Sequence, residues 1–121
     1  MNQKVLIVDD HSDIRQLIRI TLGKGFEILE AEDGMAALAI IRSQRPRVVV
    51  LDVMMPGEMD GFQVLEAVKS DAALKEVRVI MVTARGQARD YELGMASGAD
   101  GYFIKPFSPL KLIATIKELM K

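Results

Sequence analysis

Along the chain, short apolar runs alternate with stretches in which apolar residues recur every three or four positions, and the alternation repeats five times. The runs are Val5-Leu6-Ile7-Val8, Ile28-Leu29, Val48-Val49-Val50-Leu51, Val79-Ile80-Met81-Val82 and Tyr102-Phe103-Ile104. Runs that are apolar at consecutive positions and rich in β-branched residues suit strands covered on both faces, as in a parallel sheet. The second run, flanked by Glu27 and Glu30, is shorter and more polar than the others.

Each run is followed by a stretch of helical period. Ile14, Leu17, Ile18, Thr21 and Leu22 share one face, with Gly25 as the stop. Ala37, Leu38 and Ile41 form a second stripe that ends before Pro46. Phe62, Leu65 and Val68 form a third, behind Asp60 as N-cap. From Gln87 to Ser97 the stripe is weakest, carried by Ala88, Tyr91 and Met95, with Gly98 as its C-terminal glycine. Leu112, Ile113, Ile116, Leu119 and Met120 make the last, with Ser108 as cap and Pro109 in the first turn. Strand and helix in alternation predict an α/β fold whose parallel strands are joined by right-handed crossovers, with helices on both faces of the sheet.

Composition narrows this picture. The 121 residues are read as one domain spanning 1–121, with no linker or low-complexity tract. Net charge is −1, and no basic cluster marks a phosphate-backbone footprint, so direct nucleic-acid binding is not expected. The absence of Cys excludes disulfides and thiolate metal sites. The apolar run after Met1-Asn2-Gln3-Lys4 is too short for a signal sequence, and no run reaches transmembrane length. A cytoplasmic domain with no membrane contact is therefore expected.

In open parallel sheets, ligands bind beyond the carboxyl ends of the strands. Here those ends carry Asp9-Asp10, Asp52, Thr83-Ala84 and Lys105-Pro106. Each has an ordinary explanation. Asp9 and Asp10, near Ser12, suit a helix cap, and Asp52 suits a turn. Thr83 suits a strand end, and Lys105 a snorkelling surface position. Their convergence on one sheet edge argues for a single site instead. Three neighbouring carboxylates repel unless positive charge is supplied, and a hard divalent ion such as Mg²⁺ suits oxygen ligands. With Lys105 as a point charge and Thr83 as a hydroxyl donor, the set matches what phosphoryl transfer to a carboxylate needs. His11, the only histidine, is expected to be a solvated helix-start residue without a catalytic role.

Over essentially its whole length the chain resembles the receiver domains of two-component response regulators. The resemblance rests on Val5-Leu6-Ile7-Val8-Asp9-Asp10, Val50-Leu51-Asp52-Val53-Met54-Met55-Pro56 and Met59-Asp60-Gly61. It continues through Val82-Thr83-Ala84, Gly98-Ala99-Asp100-Gly101 and Lys105-Pro106-Phe107. It implies a flavodoxin-like (βα)5 three-layer sandwich with strand order 2-1-3-4-5, which places the polar second run at an edge. It implies that Asp52 is the phosphoacceptor, taking its group from a phosphohistidine on a histidine kinase or phosphotransfer protein. Asp10, Asp52 and the backbone carbonyl of Met54 would ligate Mg²⁺, with Asp9 acting through a water. Thr83 and Lys105 would bind phosphoryl oxygens, and the Lys105-Pro106 bond is expected to be cis. Phosphorylation would draw Thr83 inward and turn Tyr102 from exposed to buried, switching the surface of the last helix-strand-helix unit. The domain would be a signalling module that catalyses only its own phosphorylation and dephosphorylation.

Some positions depart from the family pattern or vary within it. The loop Pro56-Gly57-Glu58-Met59-Asp60-Gly61 is one residue longer than the commonest family form, and Met54 and Arg85 occupy variable positions beside the site. An aspartyl phosphatase of the haloacid dehalogenase type needs a second Asp where Met54 stands, and a flavin-binding module would bring phosphate against Asp9-Asp10. A phosphorylation-independent pseudo-receiver, acting as a protein-binding module, is the alternative reading. The downstream partner is read as a protein target or a fused effector. A chain that ends just after the last helix is expected to carry no effector of its own. A monomer is expected, with phosphorylation-dependent dimerisation left open.

Overall fold

A computed structural model describes residues 3–55, 57–84, 92 and 95–121. Five strands form one parallel sheet: β1 (Gln3–Val8), β2 (Phe26–Ala31), β3 (Val48–Asp52), β4 (Arg78–Thr83) and β5 (Gly101–Ile104). Their order is β2-β1-β3-β4-β5, as the resemblance implies. The helices whose bounds lie within the described residues are α1 (Ser12–Leu22), α2 (Gly34–Gln44), α3 (Gly61–Lys69) and α4 (Pro109–Leu119), with a 3₁₀ turn at Ala72–Leu74; Glu92, Met95 and Ala96 are helical too. Of the expected helix from Gln87 to Ser97, Ala88 and Tyr91 lie outside the described residues, as do Arg85 and Pro56.

The consecutive apolar residues of the inner strands divide by parity between two cores. Leu6, Val8, Val49, Leu51, Val79 and Met81 pack with α2 and α3. Val5, Ile7, Val48, Val50, Ile80 and Val82 pack with α1 and α4 on the opposite face. Strands buried on both faces read as unbroken apolar runs for this reason. The second strand is longer than its two-residue apolar run suggests, because Glu27 and Glu30 sit exposed within an edge strand.

Local signals act much as the sequence predicts, with two corrections. Asp60 caps α3 in a full capping box with Gln63, and Ser108 accepts from the Lys111 amide ahead of α4. Helix α1 ends at Gly23, not Gly25; Gly23 takes φ +69° and donates its N–H to the Arg19 carbonyl, and Gly25 instead turns the chain into β2. Leu17, expected in the buried stripe, is 42% exposed; Ile18 and Leu22 carry the burial. The apolar set on α1 is wider than the face the sheet can cover.

Candidate functional site

Every residue singled out at the strand ends lies at the same edge of the sheet. Asp9 follows β1 and is tied to β2 by its N–H to the Ala31 carbonyl. Asp52 ends β3, Thr83 ends β4, and Lys105 follows β5 with its N–H on the Thr83 carbonyl. The Lys105-Pro106 peptide is cis, as expected. Among the described residues, the buried polar or charged ones are Asp9, Asp52 and Thr83, all at this edge and at most 4% exposed. Buried polar groups away from water are destabilising unless compensated, so their concentration here marks the site.

The charges interlock. Lys105 Nζ donates to Asp9 Oδ2 at 3.0 Å and to Asp52 Oδ2 at 3.3 Å. The other oxygen of Asp52 accepts the Met54 N–H at 3.2 Å. Asp9 Oδ1 accepts the His11 N–H at 2.9 Å and lies 3.0 Å from His11 Nδ1, which is 3.1 Å from Asp10 Oδ1. Arg15 donates to the Asp9 carbonyl at 2.6 Å while its Nε holds Glu30 on β2, so α1 and β2 together fix the acid pair. Helix capping does not explain these acids: the N-cap of α1 is His11, and no side chain caps that end.

Burial, then the charge of Asp9, pushes the Asp52 carboxyl above its ordinary range, against the opposing pull of Lys105 and the Met54 N–H. Burial also works against the Lys105 charge, but its hydrogen bond to Asp9 and the charges of Asp52 and Asp9 outweigh this and raise its pKa. The hydrogen bond to Asp9, followed by the charges of Asp10 and Asp9, raises the pKa of His11. One ammonium therefore leaves the carboxylates undercompensated.

A divalent cation fits that imbalance. Asp9, Asp10, His11 and Asp52 each offer a ligand atom, all within 4.8 Å of one another. The donors are mostly hard oxygens, the chemistry Mg²⁺ selects. His11 was expected to be a solvated helix-start residue. It is exposed and at the N-cap, but its ring turns back onto the acid pair. A histidine directly after two aspartates was the only trace of this in the sequence.

The site's surroundings are equally specific. Gly61 N–H donates to the Val53 carbonyl, closing the loop after β3. A Cβ on Gly61 would stand 2.4 Å from the Asp52 carbonyl oxygen, so the loop's return depends on glycine there. Met54, two positions after Asp52, is 72% exposed beside the pocket. Register pairs Met81 with Tyr102 and Thr83 with Ile104, so Thr83 and Tyr102 share a sheet face. Tyr102 was expected to point outward in the unphosphorylated domain. In this structure the ring packs half-buried against the α2–α3 core with its hydroxyl oxygen buried, on the sheet face that its parity selects.

Comparison with known proteins agrees with this architecture. The family model described as "Response regulator receiver domain" matches residues 5–117, and the chain belongs to that family. It is 38% identical over 122 aligned residues to the DNA-binding response regulator MtrA of Mycolicibacterium paratuberculosis, covering 100% of this chain and 52% of MtrA. It is also 38% identical to the phosphate regulon transcriptional regulatory protein PhoB of Klebsiella pneumoniae, covering 100% of this chain and 53% of PhoB. The chain thus spans about half the length of these curated relatives. Among solved structures it resembles the Vibrio cholerae chemotaxis protein CheY4, with a TM-score of 0.88, 37% identity, and coverage of 98% of this chain and 99% of that one. The fold is CheY-like, and receiver domains of this family are signalling domains of two-component systems. Among the described residues, no helix is long and apolar enough to cross a membrane.

Proposed function

We propose that Asp52 is the phosphoacceptor of this receiver domain and takes a phosphoryl group from a phosphohistidine on a histidine kinase or phosphotransfer protein. The observation that carries this reading is the buried Asp52 carboxylate at the end of β3, with Lys105 Nζ at 3.3 Å and the acid pair Asp9-Asp10 beside it. A carboxylate oxygen of Asp52 attacks phosphorus, the P–N bond breaks, and its electron pair leaves with the imidazole. Lys105 and Thr83 are the donors for the phosphoryl oxygens, where preorganised charge lowers the barrier most. Asp10, Asp52 and the Met54 carbonyl would hold Mg²⁺, with Asp9 acting through water; the ion supplies charge neutralisation for the incoming group.

The partner's approach is suggested by an apolar depression of about 320 Å³ next to the site, lined by Ile14, Leu17, Lys105, Pro106 and Phe107. It offers a contact surface that reaches Lys105, whose Nζ bonds Asp52. Once Asp52 carries the group, a contact with Thr83 would bias the sheet face that Thr83 shares with Tyr102, and with it the surface of the last helix-strand-helix unit. The output would be a protein target or a fused effector, in the cytoplasm, with the domain itself making no direct nucleic-acid contact.

The test is mass measurement after incubation with Mg²⁺ and acetyl phosphate. A gain of one phosphoryl group, absent in Asp52→Asn, is the expected result. No gain with any donor, together with no beryllofluoride adduct, would instead identify a pseudo-receiver that works by binding alone.

A further inference from the structure

The receiver reading leaves one side chain of the acidic pocket without a task. His11 is the only histidine in the chain, and its ring is 60% exposed. It stands at the start of α1, yet makes no side-chain cap there. Its Nδ1 faces inward, 3.0 Å from Asp9 Oδ1 and 3.1 Å from Asp10 Oδ1. Two donors on adjacent corners of an octahedral ion, each about 2.1 Å from it, stand roughly 3.0 Å apart. The 3.1 Å from Nδ1 to Asp10 Oδ1 is close to that value, and the 3.0 Å to Asp9 Oδ1 is the hydrogen bond that holds the ring beside it. The full set of Asp9, Asp10, His11 and Asp52 atoms spans 4.8 Å at most, little more than the roughly 4.2 Å between opposite corners of the same octahedron.

Lys105 does not compete for this corner. It engages Asp9 through Oδ2, whereas Oδ1 faces His11. The ring's exposed edge leaves it free to reorient as an ion enters. The chemistry of the donor then matters. Mg²⁺ takes oxygen ligands and gains little from an imidazole. First-row transition ions gain much, with affinity rising from Mn²⁺ toward Cu²⁺ and remaining high at Zn²⁺.

We propose that His11 Nδ1 is an additional ligand of the cation held at Asp10 and Asp52, and that it makes this pocket prefer first-row transition divalents, Zn²⁺ and Co²⁺ in particular, over Mg²⁺. The inference rests on the reading of the pocket as a cation site. It adds a nitrogen donor that gives the site a selectivity of its own. A transition ion in the cell then competes with Mg²⁺ for the same acids, so that metal supply bears on the state of the acceptor.

The test uses the full chain and the metals alone. Calorimetric titration with Zn²⁺ and with Mg²⁺ is run on the native protein, on His11→Ala and on His11→Gln. The expected result is a loss of Zn²⁺ affinity of tenfold or more in both variants, and a far smaller change for Mg²⁺. Because the chain has a single histidine, its imidazole nitrogens give one set of ¹⁵N resonances. Zn²⁺ should shift Nδ1 strongly while Mg²⁺ leaves it near its metal-free position. Equal Zn²⁺ affinity in native protein and variants, or an Nδ1 signal indifferent to Zn²⁺, overturns the proposal. Failure of the underlying reading looks different: Asp10→Asn would then retain native affinity for both ions.

Discussion

Lys105 Nζ lies 3.3 Å from the Asp52 carboxylate, linking the ends of two strands that are not neighbours in the sheet. The same ammonium reaches Asp9 at 3.0 Å, so one cation serves two buried acids. Replacing it by Met should leave both acids uncompensated. The expected cost at neutral pH is about 1–3 kcal/mol, less than for a fully buried pair because Lys105 keeps partial access to water. Urea unfolding of Lys105→Met without divalent ions measures it, and added Mg²⁺ should recover part of the loss.

Asp52→Asn should act in the opposite direction. Burial and the Asp9 charge hold the Asp52 carboxyl above its ordinary range, so its ionised form is disfavoured in the folded protein. An acid whose folded pKa is raised weakens the fold at pH above that value, and the penalty fades as pH falls through it. The variant should therefore be more stable than the native chain at pH 7, by on the order of 1 kcal/mol. The difference should shrink on acidification. Paired unfolding curves at pH 7 and at pH near 4 check both sign and trend.

Much of this site was legible before any coordinates. Asp9, Asp52, Thr83 and Lys105 could be placed at one edge because parallel strands put all their carboxyl ends there, and each ends an apolar run. Strand parity, by contrast, cannot be read from a continuous apolar run, since both faces are buried. That is why the face on which Tyr102 lies could not be assigned beforehand: its register against Met81 decides it. The orientation of His11 was hidden for a related reason. A residue at a helix start can face solvent or turn back, and the choice depends on carboxylates positioned by β1, β3 and Arg15.

Gly61 should tolerate no side chain. An added Cβ would meet the Asp52 carbonyl oxygen at 2.4 Å and the Val53 Cα at 2.8 Å, both backbone atoms that cannot step aside cheaply. Gly61→Ala should lose roughly 1–3 kcal/mol, the scale of overpacking in a dense interior. The damage should extend to the site, because the atom displaced belongs to Asp52. Thermal unfolding and acetyl phosphate labelling of the same preparation should fall together.

Glu30 ties α1 to β2 through Arg19 at 2.5 Å and Arg15 at 2.8 Å. The Arg19 hydrogen bond is the main reason its carboxyl sits below the ordinary value of 4.5, helped by Arg15 and opposed by partial burial. A depressed folded pKa contributes stability that is complete above the unfolded value and disappears as pH falls through the folded one. Glu30→Gln should thus cost about 0.5–1 kcal/mol at pH 7, the range for a partly exposed ion pair. The variant and native chain should converge as pH falls through the lowered folded value. Unfolding midpoints across pH 3–7 would show a constant gap instead if Glu30 acted through packing alone.

If Asp52 is the acceptor proposed above, Met54 is predicted to lengthen the life of its phosphoryl group. Its own N–H is fixed on Asp52 Oδ1 at 3.2 Å, which anchors the residue beside the acceptor while its side chain stands exposed over the approach. Hydrolysis of the acyl phosphate needs a water held in line behind phosphorus, and positioning of that kind is what lowers the barrier. A thioether offers such a water no useful hydrogen bond, whereas an amide offers both a donor and an acceptor. Met54→Asn should therefore shorten the lifetime of the phosphorylated domain by up to about tenfold, equivalent to ~1.4 kcal/mol in the barrier. The decay of the phosphoryl mass after donor removal gives the rate directly. An unchanged decay would mean that Met54 does not limit access or orientation of water, and the lifetime would then rest with the groups holding the phosphoryl oxygens, Thr83 and Lys105.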